Sequence, residues 1–340
     1  MGHRVRIFLT HPPEALANWY GERALAELRR VADVAINPKE RVLAPAELVA
    51  TAQGCAIIIA DRQTPGEAAL FEGLPDLVAI SRVGVDIRNI DVAAASAAGV
   101  LVTQASRGFM AAVAEWIIGA LIAACRHTVP YDAAYKRGEE PASVLGRQLT
   151  GSTLGVIGYG AIAEHLCDIA VAMGMSVLVT DPYRSAPPPL QQTDMATLLA
   201  EADFVVPLAN ATQETENLID EAALARMKPT AWLINASRGN LIDEAALARA
   251  LDAGRIAGAA LDVGRAPDQK PSPHLTSRPN VIATPHIAGL TRESVEHQSL
   301  ETARQAAAIV RGEIPVGAVN AEQATRFARF RQRMMEATNG

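Results

Sequence analysis

Short runs of β-branched and aliphatic residues alternate along this chain with longer stretches rich in Ala, Glu and Leu. The first run, Val5–Thr10, is followed by a helical stretch over Glu14–Arg30. Ala56–Ala60 precedes a helix near Gly66–Phe71, Leu77–Ser81 precedes one near Asp91–Ala98, and Val100–Thr103 closes the series. This is the βαβ rhythm of a parallel sheet with helices on its faces. A long alanine-rich helix, about Phe109 to His127, comes next. The segment Val129–Thr150 reads as a polar surface excursion containing Gly138, Pro141 and Gly146. A second alternating series begins at Ser152. Its strands are expected over Thr153–Ile157, Ser176–Thr180, Phe204–Pro207, Trp232–Asn235, Gly258–Asp262 and Val281–Ala283. A helix over Asp243–Ala253 has an acidic first turn, which suits the positive end of the helix dipole. The last periodic helix, Thr291–Arg311, stops at Gly312, and the Arg-rich tail Arg326–Arg333 is compatible with a helix or a frayed end. The pattern predicts an α/β protein with two doubly wound parallel sheets.

Composition narrows the function. At 340 residues the chain has room for two domains, and 49% hydrophobic with 20% charged residues is a globular profile. A formal net charge of −6 argues against a nucleic-acid partner, whose phosphates call for a basic face. The most apolar segment, Met110–Cys125, contains Glu115 and is short for a bilayer span, so no membrane partner is expected. No basic leader with a cleavage site precedes Val5, so a cytoplasmic location is expected. Cys55, Cys125 and Cys167 are scattered, with neither disulfide nor metal-ligand spacing, and no metal site is expected.

The strongest local signal is the stretch from Thr153 to Ala163, in which a β-run ends at Gly158-Tyr159-Gly160 and a helix begins at Ala161. Gly158 permits the tight turn, Gly160 lets a pyrophosphate approach the backbone, and Ala163 allows close helix–strand packing. The phosphates would meet free N–H groups at the helix start. Asp181 lies at the end of the next strand, 21 residues past Gly160, where an acid accepts the adenosine ribose hydroxyls. An Asp-Pro turn would look the same in isolation. The strand–turn–helix context favours a dinucleotide, and the acid favours NAD over NADP, with Arg184 too far along the turn to receive a 2′-phosphate.

Two further strand ends carry chemistry. The run Trp232–Asn235 ends in a turn of small residues that presents Arg238, whose planar fork can hold a carboxylate or polarise a carbonyl. Val281–Ala283 leads into Thr284-Pro285-His286, and an imidazole there can exchange the proton that accompanies hydride transfer. The other six histidines lack such a context.

The glycine turn, the Lys228–Asp243 stretch and the Thr284–Gly289 motif, in this order, resemble the D-isomer-specific 2-hydroxyacid dehydrogenases. Arg82-Val83-Gly84-Val85 is similar to that family's substrate-carboxylate loop, and Val113-Ala114-Glu115 to the start of its interdomain helix. The resemblance implies a Rossmann dinucleotide-binding domain, residues 104–286, inserted in a flavodoxin-like substrate domain formed by residues 1–103 and 287–340. It implies NAD-dependent hydride transfer to or from a 2-oxo/2-hydroxy acid, and a homodimer through the Phe109–His127 helix and the segment after it. Arg238 would orient the substrate, His286 would be the acid/base, and Asp262 would hold the nicotinamide carboxamide. Ala161, Ile162, Ala236, Ser237 and Gly289 would line the cofactor, and backbone N–H groups of Val83, Gly84 and Val85 would bind the substrate carboxylate.

The sequence departs from the family in places. Pro267 stands where the family has the glutamate that pairs with the catalytic histidine, and Asp268 is the neighbouring carboxylate. Either Asp268 takes over after a backbone shift, or His286 works without an acidic partner. Arg88, Phe109, Met110, Leu208 and Asn210 also depart from the family's usual residues, which points to a more apolar substrate pocket. The absent glutamate leaves two rivals: a reductase for an unusual substrate such as an imino acid, and a dinucleotide-sensing protein with little turnover.

Overall fold

The computed structural model describes residues 4–339. Its backbone divides into two compact units, one formed by residues up to Gly108 with those from Arg292 onward, the other by Phe109–Thr291.

The first unit holds strands β1 (Arg6–Leu9), β2 (Asp33–Ile36), β3 (Ile57–Ala60), β4 (Ala79–Arg82) and β5 (Leu101–Gln104). They form one parallel sheet in the order β2-β1-β3-β4-β5, the flavodoxin-like arrangement. Helices cover both faces, so the central strand reads Ile-Ile-Ile-Ala with every residue buried. The helix expected over Glu14–Arg30 is two, Pro13–Trp19 and Glu22–Val31, because Gly21 between them has φ +86°. β2 and the helix Pro45–Thr51 are additional to the sequence expectation. β2 is a four-residue edge strand with one neighbour and a half-exposed side-chain pattern, too weak a signal to read in advance. The helix Arg292–Val310 returns to this sheet, burying Ala303, Ala306 and Ile309. The Arg-rich tail is helical as well, over Thr325–Asn339, with Phe327 and Phe330 in the same core.

The second unit holds β6 (Thr153–Ile157), β7 (Ser176–Thr180), β8 (Gln191–Gln192), β9 (Phe204–Pro207), β10 (Trp232–Asn235), β11 (Gly258–Leu261) and β12 (Val281–Ala283). Its parallel order is β12-β11-β10-β9-β6-β7-β8. The chain winds outward from β6 in both directions, which places the switch point at the carboxyl end of β6, where doubly wound folds bind ligands. The helix Met110–Arg126 packs on the helix Ala161–Ala172 through Val113, Ile117, Leu121, Leu166 and Cys167. His127, at φ +52°, ends it, and Thr128–Lys136 forms a second helix where a surface excursion was expected. Among the described residues no single helix is long and apolar enough to cross a membrane; these two would be so only together, and they are bent by 70°.

Candidate active site

The two glycines of the turn after β6 do different work. Gly158 has φ +93°, and a Cβ there would lie 2.7 Å from the Ala209 nitrogen, so backbone shape and packing both require glycine. Gly160 has φ −98°, and a Cβ built on it meets no atom within 4 Å. Nothing inside the chain calls for glycine at 160. What the residue provides is open space before the helix Ala161–Ala172, with Ala161 and Ile162 in the first turn and Ala163 fully buried beneath. That is the cradle a phosphate needs.

Asp181 follows β7 and closes this turn. Its Oδ2 accepts from the Tyr159 N–H at 2.7 Å, and its Oδ1 accepts from Tyr183 and Arg184 N–H at 2.7 and 2.8 Å. Burial pushes the carboxyl up, yet these three N–H bonds and the Arg184 charge outweigh it and hold the group below the usual range. Arg184 is nearer than the sequence reading allowed. Its guanidinium donates to the Tyr159 carbonyl at 2.8 Å and to Glu164 at 2.5 Å, and stands 5.6 Å from the Tyr159 ring centroid. The turn at Asp181 folds Arg184 back onto the glycine loop.

The turn after β10 is shaped from below by Asn235, a residue the sequence reading passed over. Its buried side chain donates to the Arg238 carbonyl at 2.9 Å and accepts from the Ser237 N–H at 3.0 Å. Ala236 is buried, Ser237 half-buried and Arg238 exposed, with the guanidinium donating to the Ser237 carbonyl at 2.8 Å. Gly239 meets the next loop so closely that a Cβ would lie 2.2 Å from the Gly264 carbonyl carbon. Lys228, in the same stretch, has a structural partner: it donates to Asp203 at 3.2 Å.

His286 sits just past β12 with φ +62°, a left-handed backbone for a non-glycine residue. Asp262, 1% exposed at the end of β11, holds that conformation. Its carboxylate accepts from the Thr284 hydroxyl at 2.5 Å, the Ile287 N–H at 2.8 Å and the Ala288 N–H at 2.8 Å, and its carbonyl accepts from the His286 N–H at 2.9 Å. Gly289 completes the turn against the Phe109 side chain.

Of the group expected beside His286, the structure brings the main chain of Asp268 to the ring. The His286 Nδ1 lies 3.0 Å from the main-chain carbonyl of Asp268, and the Asp268 carboxylate is largely exposed, 3.8 Å from Lys270. Asp268 and Gln269 have φ +60° and +57°, and this backbone kink aims the carbonyl at the ring. A carbonyl only accepts, so Nδ1 carries the hydrogen and Nε2 is the nitrogen left to give or take a proton. Glu244 anchors the loop at both ends, through the Arg265 N–H at 2.9 Å and the Ser272 hydroxyl at 2.6 Å.

In the first unit, the expected carboxylate turn is poorer in donors than the sequence implies. The Val83 N–H is taken by the Ala60 carbonyl at 3.0 Å and the Gly84 N–H by the Arg82 carbonyl at 2.8 Å. Val85 remains as the N–H with no acceptor among the described hydrogen bonds. Arg88 folds back on Asp86, with bonds of 2.5 to 3.0 Å.

A glycine cradle at a switch point, an acid at the next strand end, and an imidazole with a fixed tautomer define a dinucleotide-dependent oxidoreductase of the doubly wound class. Residues 118–288 match the family model described as "D-isomer specific 2-hydroxyacid dehydrogenase, NAD binding domain". D-3-phosphoglycerate dehydrogenase of Synechocystis sp. is 35% identical over 298 residues, covering 86% of this chain and 53% of that protein. This chain therefore spans about half the length of that relative. (S)-Sulfolactate dehydrogenase of Chromohalobacter salexigens is 34% identical over 290 residues, covering 84% of this chain and 94% of that protein. Among solved structures, D-lactate dehydrogenase with NAD+ from Lactobacillus jensenii superposes with a TM-score of 0.80 at 28% identity, covering 93% of this chain and 99% of that one. The chain belongs to the D-isomer-specific 2-hydroxyacid dehydrogenase family, and its second unit carries the family's NAD-binding domain.

Proposed function

We propose that this chain catalyses NAD-dependent interconversion of a small 2-oxo acid and its 2-hydroxy acid. The observation that carries this reading is the His286 ring, whose Nδ1 is committed to the Asp268 carbonyl while Nε2 is left for proton exchange. NAD, when bound, supplies or takes the hydride. The residues present fit it: Gly158 makes the turn, the space over Gly160 admits the pyrophosphate, and Asp181 receives the ribose. Ala161, Ile162, Ala236, Ser237 and Gly289 line it, and Asp262 retains lone-pair capacity for a carboxamide.

Arg238 orients the oxo acid and stabilises negative charge growing on its carbonyl oxygen, which His286 protonates from Nε2. The Val85 N–H contributes to holding the substrate carboxylate. We also infer a homodimer through the helix Met110–Arg126 and the segment after it, where Ile122, Val129, Tyr135, Val144 and Leu145 are exposed, Leu145 at 97%. Three buried, unpaired thiols support a reducing, cytoplasmic location.

The test is NADH consumption against a panel of 2-oxo acids, with His286→Ala and Arg238→Lys beside the wild type. Turnover of at least one acid, abolished by His286→Ala and lowered in kcat by Arg238→Lys, is expected. Cofactor binding with no turnover would overturn the enzyme reading in favour of a sensor. Pro267 in the glutamate's place favours one second reading, reduction of an imino acid, so the panel is repeated with ammonium present.

A further inference from the structure

The amino-terminal edge of the five-stranded sheet carries an open groove that the chemistry above does not use. Arg4 and Arg6 at the start of β1, Gly54 ahead of β3, and Phe330 and Arg333 of the helix Thr325–Asn339 border it. All belong to the first unit. The groove holds about 420 Å³, and small-molecule sites span roughly 300–1,000 Å³. Strands of a parallel sheet start at one edge and end at the other. The groove therefore lies across the sheet from the Val83–Val85 turn, which follows the end of β4.

Its charge has one sign. Among the described residues no Asp or Glu lines it. Elsewhere exposed arginines fold onto carboxylates, Arg30 onto Glu27, Arg137 onto Glu139 and Arg311 onto Glu313. Arg333 is exposed and has neither a hydrogen bond nor an ion pair among the described residues. Arg6 makes one long bond, from Nη1 to the Gln53 carbonyl at 3.5 Å. Gly54, at φ +70°, gives it room, since a Cβ there would lie 3.3 Å from the same Nη1. Arg4 is anchored by the Arg29 and Arg30 carbonyls, at 3.0 and 2.5 Å, where the helix Glu22–Val31 ends. Those acceptors are neutral and fix the guanidinium without cancelling its charge. Asp33 is 3.8 Å away and exposed, and such a pair contributes little.

The floor is apolar, with Phe330 8% exposed and Val5 half-buried. A guanidinium fork matches phosphate in a bidentate manner. A carboxylate brings one negative charge to three cations, whereas a phosphate monoester brings about 1.5 to 2 at pH 7. We propose that this groove binds a small organic phosphate monoester, its phosphate between Arg6 and Arg333 and its apolar part against Phe330. Arg4 adds to the positive field. The ligand ties β1 to the helix Thr325–Asn339, so its binding stabilises the fold.

The probe is phenyl phosphate, titrated calorimetrically into the full chain saturated with NADH, so that the cradle over Gly160 is already filled. Wild type should bind it, more weakly as salt is raised, and its thermal midpoint should climb with probe concentration. Arg333→Ala and Arg6→Gln should each weaken binding about tenfold or more and leave the affinity for NADH unchanged. Inorganic phosphate, which lacks the ring, should bind at least about threefold more weakly than phenyl phosphate. Neither heat nor a midpoint shift in wild type at about 10 mM probe would overturn the proposal. Wild-type affinity in both variants would also overturn it, by placing the anion elsewhere. Equal affinity for the two probes would remove Phe330 from the site and the organic ester with it. Arg333 is an exposed helix position where alanine is well tolerated, so Arg333→Ala decides even if Arg6→Gln disturbs β1.

Discussion

The Nδ1 of His286 is held by the main-chain carbonyl of Asp268, 3.0 Å away, and not by a carboxylate. We therefore propose that the acid–base chemistry uses the main chain at 268 and not its side chain. Asp268→Asn, which keeps a residue tolerant of the left-handed backbone, should leave the pH–rate profile of 2-oxo acid reduction superimposable on wild type. A displaced basic limb would show that the carboxylate does reach the ring.

Gly158 and Gly160 should separate stability from cofactor binding. Gly158→Ala forces a Cβ into the Ala209 backbone at a positive φ, a strain of roughly 1–3 kcal/mol before the clash is counted. Its thermal midpoint should fall. Gly160→Ala should keep the wild-type midpoint and raise KM for NADH, because the only space its methyl group enters is the cradle.

Asp262 carries the turn that bears His286. Asp262→Asn replaces one acceptor oxygen with a donor facing N–H or O–H groups, and each buried group left unpaired costs about 1–3 kcal/mol. Loss of thermal stability together with a fall in kcat larger than any rise in KM for NADH is expected. An unchanged thermal midpoint would show that Asp262 does not hold the turn.

Arg184 changes the prospects for cofactor choice, because it stands at the glycine turn. Wild type should prefer NADH. Removing the acid in Asp181→Ala should raise the NADPH/NADH ratio of kcat/KM at least tenfold, and Asp181→Ala with Arg184→Ala should lose that gain. A gain that survives loss of Arg184 would place the 2′-phosphate elsewhere.

Asp203 supplies a pH test. Burial raises its carboxyl pKa, but the Thr153 N–H, Arg147 and Lys228 more than reverse this, leaving it below the usual range. A carboxyl with a depressed folded-state pKa stabilises the fold above its unfolded value and ceases to as pH falls through the folded one. Asp203→Asn should thus melt below wild type at pH 7, with the gap narrowing by pH 3. A constant gap would show that charge has no part in it.

Much of this architecture was legible because buried parallel strands are apolar throughout. β6, β7, β9, β10 and β12 lie over the expected residues, and β11 stops one residue short, at Leu261. β2 and β8 escaped because edge strands bury little and need no such run. The break at Gly21 was hidden because a single glycine is compatible with a helix interior. At the site, side-chain chemistry could be read at Asp181, Arg238 and His286. Main-chain chemistry could not: which carbonyl meets the His286 ring depends on φ at Asp268 and Gln269, and residue identity encodes that only weakly.

The three-point hold of Asp262 on the Thr284–Ala288 turn bears on when conformational entropy is lost. A left-handed residue in a free loop samples many other backbone states, and ordering one residue on ligand arrival would cost roughly 1–2 kcal/mol. Here the turn is fixed by a carboxylate that belongs to the core of its own unit, so that loss is incurred as the polypeptide folds. The ligand meets an imidazole whose backbone freedom is already gone, and more of its binding free energy is left for the transition state.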